Sequence, residues 1–330
     1  MFWDEAVDDW WPSYGRPGEI GEGISHYPTD FTRDVTPIPC HSHNDYWRKR
    51  PLYDALHYGC TGVEADVWTF PSDPALYVGH SASALTKNRT FTAMYVDPIA
   101  DILDAMNNRT AFPSSRTTPR GVFDEDPDQA LVLLVDFKNG DKDIFEMVFA
   151  QTQRLRDADY LTHWDGHKVV ERPVTIVGTG NTPFDMIVSN TTYRSIFFDA
   201  PLSQLALSSA DADAGATQHG QGTIGVSADS KFDASNSYYA SINFRAAFGS
   251  RFWHRFSDKQ LRTLRAQVAG AKRAGLKARY WGAPGWPIAE RNAIWKLLWE
   301  EDVGVLNADD LLSVSKMDWR TRVERLEAEM

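Results

Sequence analysis

Cysteine is nearly absent from this chain of 330 residues, which has only Cys40 and Cys60. On the strand reading below, Cys40 sits near the C-terminal end of the first strand and Cys60 near the N-terminal end of the second. Parallel neighbours hold such ends beyond the roughly 7 Å between Cα atoms that a bridge tolerates. Both are therefore expected to be free thiols, and cysteine does not identify the compartment. Long apolar runs are missing too: none approaches the ~20 residues needed to span a bilayer. The acidic opening Met1-Phe-Trp-Asp-Glu5 lacks the basic and apolar regions of a signal peptide. A cytosolic protein and a lumenal one whose targeting segment lies outside this sequence both fit. Three Asn-X-Ser/Thr sequons, at Asn88, Asn108 and Asn190, lean toward a secretory lumen. Positive charge is in deficit, with a net charge of −11. That excludes the basic footprint nucleic acid needs. It also disfavours whole-surface attraction to anionic lipid, while a local patch could still associate with a membrane surface. The oligomeric state is not readable from the sequence.

What is present is a repeated alternation of short apolar runs and amphipathic stretches. Val35–Cys40, Gly62–Trp68, Leu131–Phe137, Val174–Val177, Ile196–Phe198, Ala278–Trp281 and Val303–Leu306 read as strands, with weaker strands at Ile224–Ser227 and Tyr239–Phe244. Pro51–Tyr58, Val96–Met106, Asp143–Leu155 and Ile288–Glu301 read as helices, and Ser257 with Gln260 makes a capping box before another. Leu131–Phe137 is apolar throughout, as a strand buried on both faces should be. Roughly eight βα units with no internal linker predict a single (β/α)₈ TIM barrel, an α/β fold, over 34–315. Residues 1–33 read as an irregular arm and 316–330 as a helix packed on the barrel.

Chemistry-bearing side chains collect at the ends of these strands. Glu64 and Asp66 are two apart, so both face one side of their strand. With Asp136 from a neighbouring strand they make an all-oxygen set suited to Mg²⁺ or Ca²⁺ rather than zinc. His41 and His43 are likewise on one face, and His80 closes the run Leu76-Tyr-Val-Gly-His80. Two imidazoles beside a cation suit acid–base work on a phosphodiester, one taking a proton while the other protonates the leaving oxygen. Lys138, on the same face as Asp136, suits a phosphate oxygen as a point charge. Trp281, at the end of its strand, is placed to meet a headgroup or glycerol moiety.

The series Glu-Ala-Asp at 64–66, Gly79-His80, Val135-Asp-Phe-Lys138 and Ala278-Arg-Tyr-Trp281 resembles the phosphatidylinositol-phospholipase-C-like phosphodiesterase superfamily. That superfamily includes glycerophosphodiester phosphodiesterases and the sphingomyelinase D toxins. Pro39-Cys-His-Ser-His-Asn-Asp-Tyr-Trp47 with Gly121-Val-Phe-Asp124 is nearer still to the fungal "altered inheritance of mitochondria" family within it. The resemblance spans about residues 33–310. It implies a TIM-barrel phosphodiesterase acting on a glycerophosphodiester or phospholipid, phospholipase D-like, with Glu64, Asp66 and Asp136 on the metal and Trp281 at the mouth. At the first strand it points two ways: the toxins' His-X-X-Asn favours His41, and the phospholipase C His-Asn pair favours His43 with Asn44 as a further metal ligand. Two other readings stay open at this point. One is a catalytically weak barrel that binds a phosphorylated lipid or sugar. The other is an amidohydrolase, which would need additional metal-binding histidines at later strand ends.

Overall fold

The computed structural model describes residues 13–24, 30–108, 116–139, 142–206, 223–249 and 256–320. Eight parallel strands close into a barrel: β1 (Ile38–Ser42), β2 (Cys60–Trp68), β4 (Leu131–Phe137), β7 (Val174–Gly180), β8 (Ile196–Pro201), β9 (Ser237–Asn243), β10 (Lys277–Trp281) and β11 (Val305–Ala308). Closure is made by β1, which pairs with both β2 and β11. A short β3 (Tyr77–Val78) folds back antiparallel on the end of β2 and delivers Gly79-His80 to the barrel mouth. Two further pairs of residues, β5 (His163–Trp164) and β6 (Val169–Val170), form a separate ribbon.

Alternate residues along each strand point to opposite sides of the wall, and the two sides differ in character. Outward residues such as Val63, Ala65, Leu133, Val135, Ile176, Phe198, Ala240, Ala278, Tyr280 and Leu306 join one large apolar core with the surrounding helices. Inward residues form only a small apolar plug of Val132, Leu134, Val177, Tyr239 and Val305. Above the plug the lumen turns polar, and the candidate site lies there, at the C-terminal ends of the strands as in other barrels of this type.

The structure corrects several sequence expectations. Cys40 and Cys60 are joined in a disulfide, with Cα atoms 4.7 Å apart. β1 is only five residues long and Ile38 pairs with Cys60, so Cys40, in mid-strand, lies almost level with Cys60. A register irregularity between Ile38 and His41 brings them closer still. Ile224–Ser227 is not a strand but a turn, and the strand of that region is β9. The expected helix 143–155 is two, Lys142–Gln151 and Gln153–Asp157. They are separated by Thr152, whose hydroxyl donates to the carbonyls of Val148 and Phe149. The capping box of Ser257 and Gln260 is present and opens a helix over Asp258–Arg273. Residues 13–24 of the expected arm are a run of turns, and 316–320 are not helical. The rest of the arm's 1–12 and 25–29, and 321–330 of the expected terminal helix, lie outside the described residues. No helix among the described residues is long and apolar enough to cross a membrane.

Candidate active site

At the mouth a cavity of about 210 Å³ is lined by His43, Asn44, Glu64, His80, Asp136, Lys138, Thr179, Arg279 and Trp281. Seven of the nine residues proposed from sequence line it directly, and the buried Asp66 is grouped with Glu64 and Asp136. The register explains the grouping. Asp66 pairs with Asp136 across β2 and β4, and Asp136 with Thr179 across β4 and β7, so three neighbouring strands present polar groups at one height.

Oxygen atoms of Glu64, Asp66 and Asp136 lie within 4.8 Å of one another. Asp66 is fully buried, and its Oδ1 has no hydrogen-bond partner. Its Oδ2 takes the Tyr46 hydroxyl at 2.6 Å and the Lys138 ammonium at 2.8 Å. Lys138 also reaches Asp136 Oδ2 at 2.7 Å, so its charge is shared between two carboxylates rather than held free in the cavity. Burial, with Glu64 and Asp136 nearby, pushes Asp66 up to about 7. A buried carboxylate oxygen without a donor, beside two more carboxylates, fits a hard cation such as Mg²⁺ or Ca²⁺.

Glu64 behaves differently. Burial opposes its charge, but His43, Arg279 and the Asn44 backbone outweigh that and lower its pKa. The Asn44 N–H donates to Glu64 Oε2 at 2.9 Å from a left-handed backbone (φ 48). The Asn44 side chain lines the cavity, but it lies against the Tyr46 hydroxyl at 2.5 Å.

The two first-strand histidines separate by height. His43 lines the cavity, and its Nδ1 meets Asp309 Oδ1 at 2.8 Å, while Nε2 lies 3.9 Å from Glu64. Burial disfavours charge on His43, yet Glu64 and Asp309 prevail and raise its pKa. His41 is fully buried beneath the cavity, edge-on to Tyr239, and neither ring nitrogen has a hydrogen-bond partner. Burial and the Arg279 charge hold it well below the usual histidine range, so it stays neutral. The expectation that both imidazoles reach the mouth is corrected: two residues along a strand is a rise of about 6–7 Å, enough to put one under the floor. His80 lines the same cavity, half-exposed, with Nδ1 3.0 Å from the Tyr46 hydroxyl and its ring 5.0 Å from that of Trp47.

Sequence reasoning gave no role to Arg279, Asp199, Asp309 or Tyr46. Arg279 is buried, donates to Asn307 at 3.0 Å and lies 3.8 Å from Glu64 and 3.7 Å from Asp199. Spacing could have found two of them, since Arg279 shares a face with Trp281 and Asp309 with Asn307. Among the described residues no further histidine joins the carboxylates. His163 is bonded to the Leu161 carbonyl and packs on Tyr193, away from the mouth, and His167 is on an exposed turn. The amidohydrolase reading therefore lacks its ligands there.

Gly180 tests the packing of this cluster. It adopts φ +63, and the place of a Cβ is already taken by Asp136 Oδ1. Gly180→Ala should destabilise the fold by about 1–2 kcal/mol from the left-handed backbone alone. It should also turn Asp136 away, which a paired urea-unfolding and cation titration would register as joint losses.

Comparisons with known proteins show the chain's family. A family model described as an AIM6-like phosphodiesterase domain matches residues 29–199. The altered inheritance of mitochondria protein 6 homolog of Arthroderma benhamiae is 39% identical over 87% of this chain and 86% of its own length. The protein of that name from Eremothecium gossypii is 32% identical over 87% of this chain and 71% of its own. Phosphatidylinositol-specific phospholipase C from Listeria monocytogenes covers 88% of this chain and 97% of its own at 10% identity, with a TM-score of 0.39, too loose a likeness to bear on function. With a phosphodiesterase family model over its first half and relatives that align along most of its length, the chain belongs to the AIM6-like phosphodiesterase family.

Proposed function

We propose that this protein is a cation-dependent phosphodiesterase that cleaves a glycerophosphodiester or phospholipid headgroup ester by acid–base catalysis between His43 and His80. One observation carries the reading: two imidazoles border the same small cavity as Glu64 and Asp136, which cluster with the buried Asp66, and the Nδ1 of each imidazole already has a partner. Nε2 of each is then left for substrate. Glu64, Asp66 and Asp136 would hold Mg²⁺ or Ca²⁺, with Asn44 as a further oxygen donor. When bound, the cation neutralises phosphoryl oxygens and stabilises charge in the transition state.

The residues divide the remaining work. His43 Nε2 takes the proton of the attacking oxygen as that oxygen bonds to phosphorus, and Asp309 stabilises the imidazolium that results. As the opposite P–O bond breaks, His80 gives its proton to the departing alcohol. Attack by water yields a phosphomonoester, and attack by a hydroxyl next to the ester yields a cyclic phosphate. Lys138 orients Asp66 and Asp136. Trp281, half-buried in the wall, packs against the headgroup or glycerol moiety. Trp47 and Trp286, 61% and 75% exposed on loops following β1 and β10, suit approach to a lipid surface.

Phosphorus NMR on a panel of phosphodiesters, with and without chelator, tests the reading. Turnover should vanish on chelation and return with Mg²⁺ or Ca²⁺. Recovery with zinc alone would favour a zinc hydrolase, and binding of phosphorylated lipid without turnover would favour a barrel that only binds. The cation competes with the proton on Asp66, which titrates at about 7. Its affinity should therefore fall as pH drops below about 7, and Asp66→Asn should weaken it at every pH.

A further inference from the structure

We infer that Tyr46 is a positioning residue for the reaction proposed above: its hydroxyl ties His80 to Asp66 and fixes which imidazole nitrogen faces the leaving group. The inference rests on that reading for its kinetic consequence, but its geometry stands by itself.

Tyr46 lies in a short 3₁₀ turn after β1 and is 2% exposed. Its oxygen touches three polar groups, Asp66 Oδ2 at 2.6 Å, Asn44 Oδ1 at 2.5 Å and His80 Nδ1 at 3.0 Å. A phenol keeps its proton at neutral pH. One proton serves one acceptor, and a carboxylate is the strongest acceptor of the three. The contact to His80 must then run the other way, with Nδ1–H donating to the phenol oxygen. Asn44 Oδ1, like Asp66, can only accept from the phenol, so neither leaves its proton for His80.

The consequence is a fixed tautomer. With Nδ1 occupied, Nε2 is the nitrogen that exchanges a proton with substrate. His80 needs such a restraint because it is half-exposed, just beyond a two-residue strand. Its other near contacts are the Trp47 ring and a longer 3.4 Å approach to Asp66.

Tyr46→Phe removes the hydroxyl and little else. The test compares phosphodiesters that share one alcohol and differ in the leaving alcohol, from p-nitrophenol to a simple alkyl alcohol. A p-nitrophenolate departs without a proton, whereas an alkoxide needs one. General acids contribute about 10²–10⁴-fold, so the variant should lose roughly 10–100-fold in kcat on the alkyl ester. KM and the p-nitrophenyl rate should barely change, a weaker copy of the His80→Ala pattern. Equal slowing of both esters would reduce Tyr46 to a structural role, as would a rise in KM alone. Nitrogen-15 NMR of the wild-type protein supplies a readout independent of turnover and of the variant's folding. Neutral His80 should be the Nδ1–H tautomer, and a predominantly Nε2–H ring would overturn the inference. If that tautomer is found but the wild type cleaves neither ester, the geometry stands and the proposed reaction fails.

Discussion

Replacing His43 by alanine should lower kcat by about 10²–10⁴-fold without unfolding the protein, and His80→Ala should do the same. His41→Ala should behave differently. Its ring is buried against Tyr239 and fills the space that Gly62 leaves open, where a Cβ would come within 2.5 Å of Nδ1. Removing it creates a cavity, and buried large-to-small changes cost about 2–5 kcal/mol. The loss at His41 should thus appear in the denaturant midpoint, with a much smaller change in kcat for the protein that remains folded. If His41→Ala abolishes turnover at full stability while His43→Ala is silent, the base has been assigned to the wrong imidazole. A pH profile adds a sign. His43 must be neutral to accept a proton, and Glu64 and Asp309 raise its pKa despite burial. The acidic limb of kcat/KM should therefore lie above the ordinary histidine value of about 6.5. Asp309→Asn removes one of the charges that raise it, so the limb should move to lower pH.

The second large effect belongs to the disulfide. Cys40 and Cys60 close a loop across 20 positions of sequence, and the chain-entropy relation gives about 3 kcal/mol for a loop of that size. Replacing both by alanine should lower the free energy of unfolding by about that amount, a shift of roughly 10²-fold in the folding equilibrium. Urea titrations of the two proteins measure it directly, and an unchanged midpoint would mean that the bond constrains little in the unfolded chain. The closed segment carries His43, Asn44 and Tyr46, so catalysis should weaken together with stability. Both sulfurs are buried, which makes reduction slow until the chain opens. Such bonds persist in oxidising compartments and are rare in cytosol. Alkylation of the protein taken from its native setting therefore reports where it folds.

The barrel was legible because its strands repeat as short apolar runs, and the carboxylates because Glu64, Asp66, Asp136 and Lys138 obey a spacing of two at strand ends. What escaped depended on register between strands distant in sequence. Cys40 and Cys60 pair only because Ile38 lies beside Cys60, with an irregularity following it. Arg279 reaches Glu64 because β9, β10, β11 and β1 complete the ring, a closure that no local pattern encodes. His41 and His43 look equivalent in the sequence, since a period of two fixes the face but not the depth. Ile224–Ser227 had the composition of a strand, yet its Gly225 adopts φ +72 in a turn against Asp185. Tyr46 was hidden differently. An aromatic after a histidine-rich run suggests packing, and only the positions of Asp66 and His80 give its hydroxyl a task.

The division of the barrel wall into two faces has a consequence for how such proteins diversify. The outward face and the helices form one continuous apolar mass, while the lumen above a five-residue plug consists of polar groups such as Thr179, Asp199, Ser241, Arg279 and Asn307. Selection on the lumen and selection on the shell are thereby uncoupled. Inward positions can exchange donors, acceptors and charge to suit a new ester while the scaffold drifts through volume-conserving swaps on the other side of the same strands. Each strand carries two lineages of variation in alternation, one recording what the protein holds and the other how it stays folded.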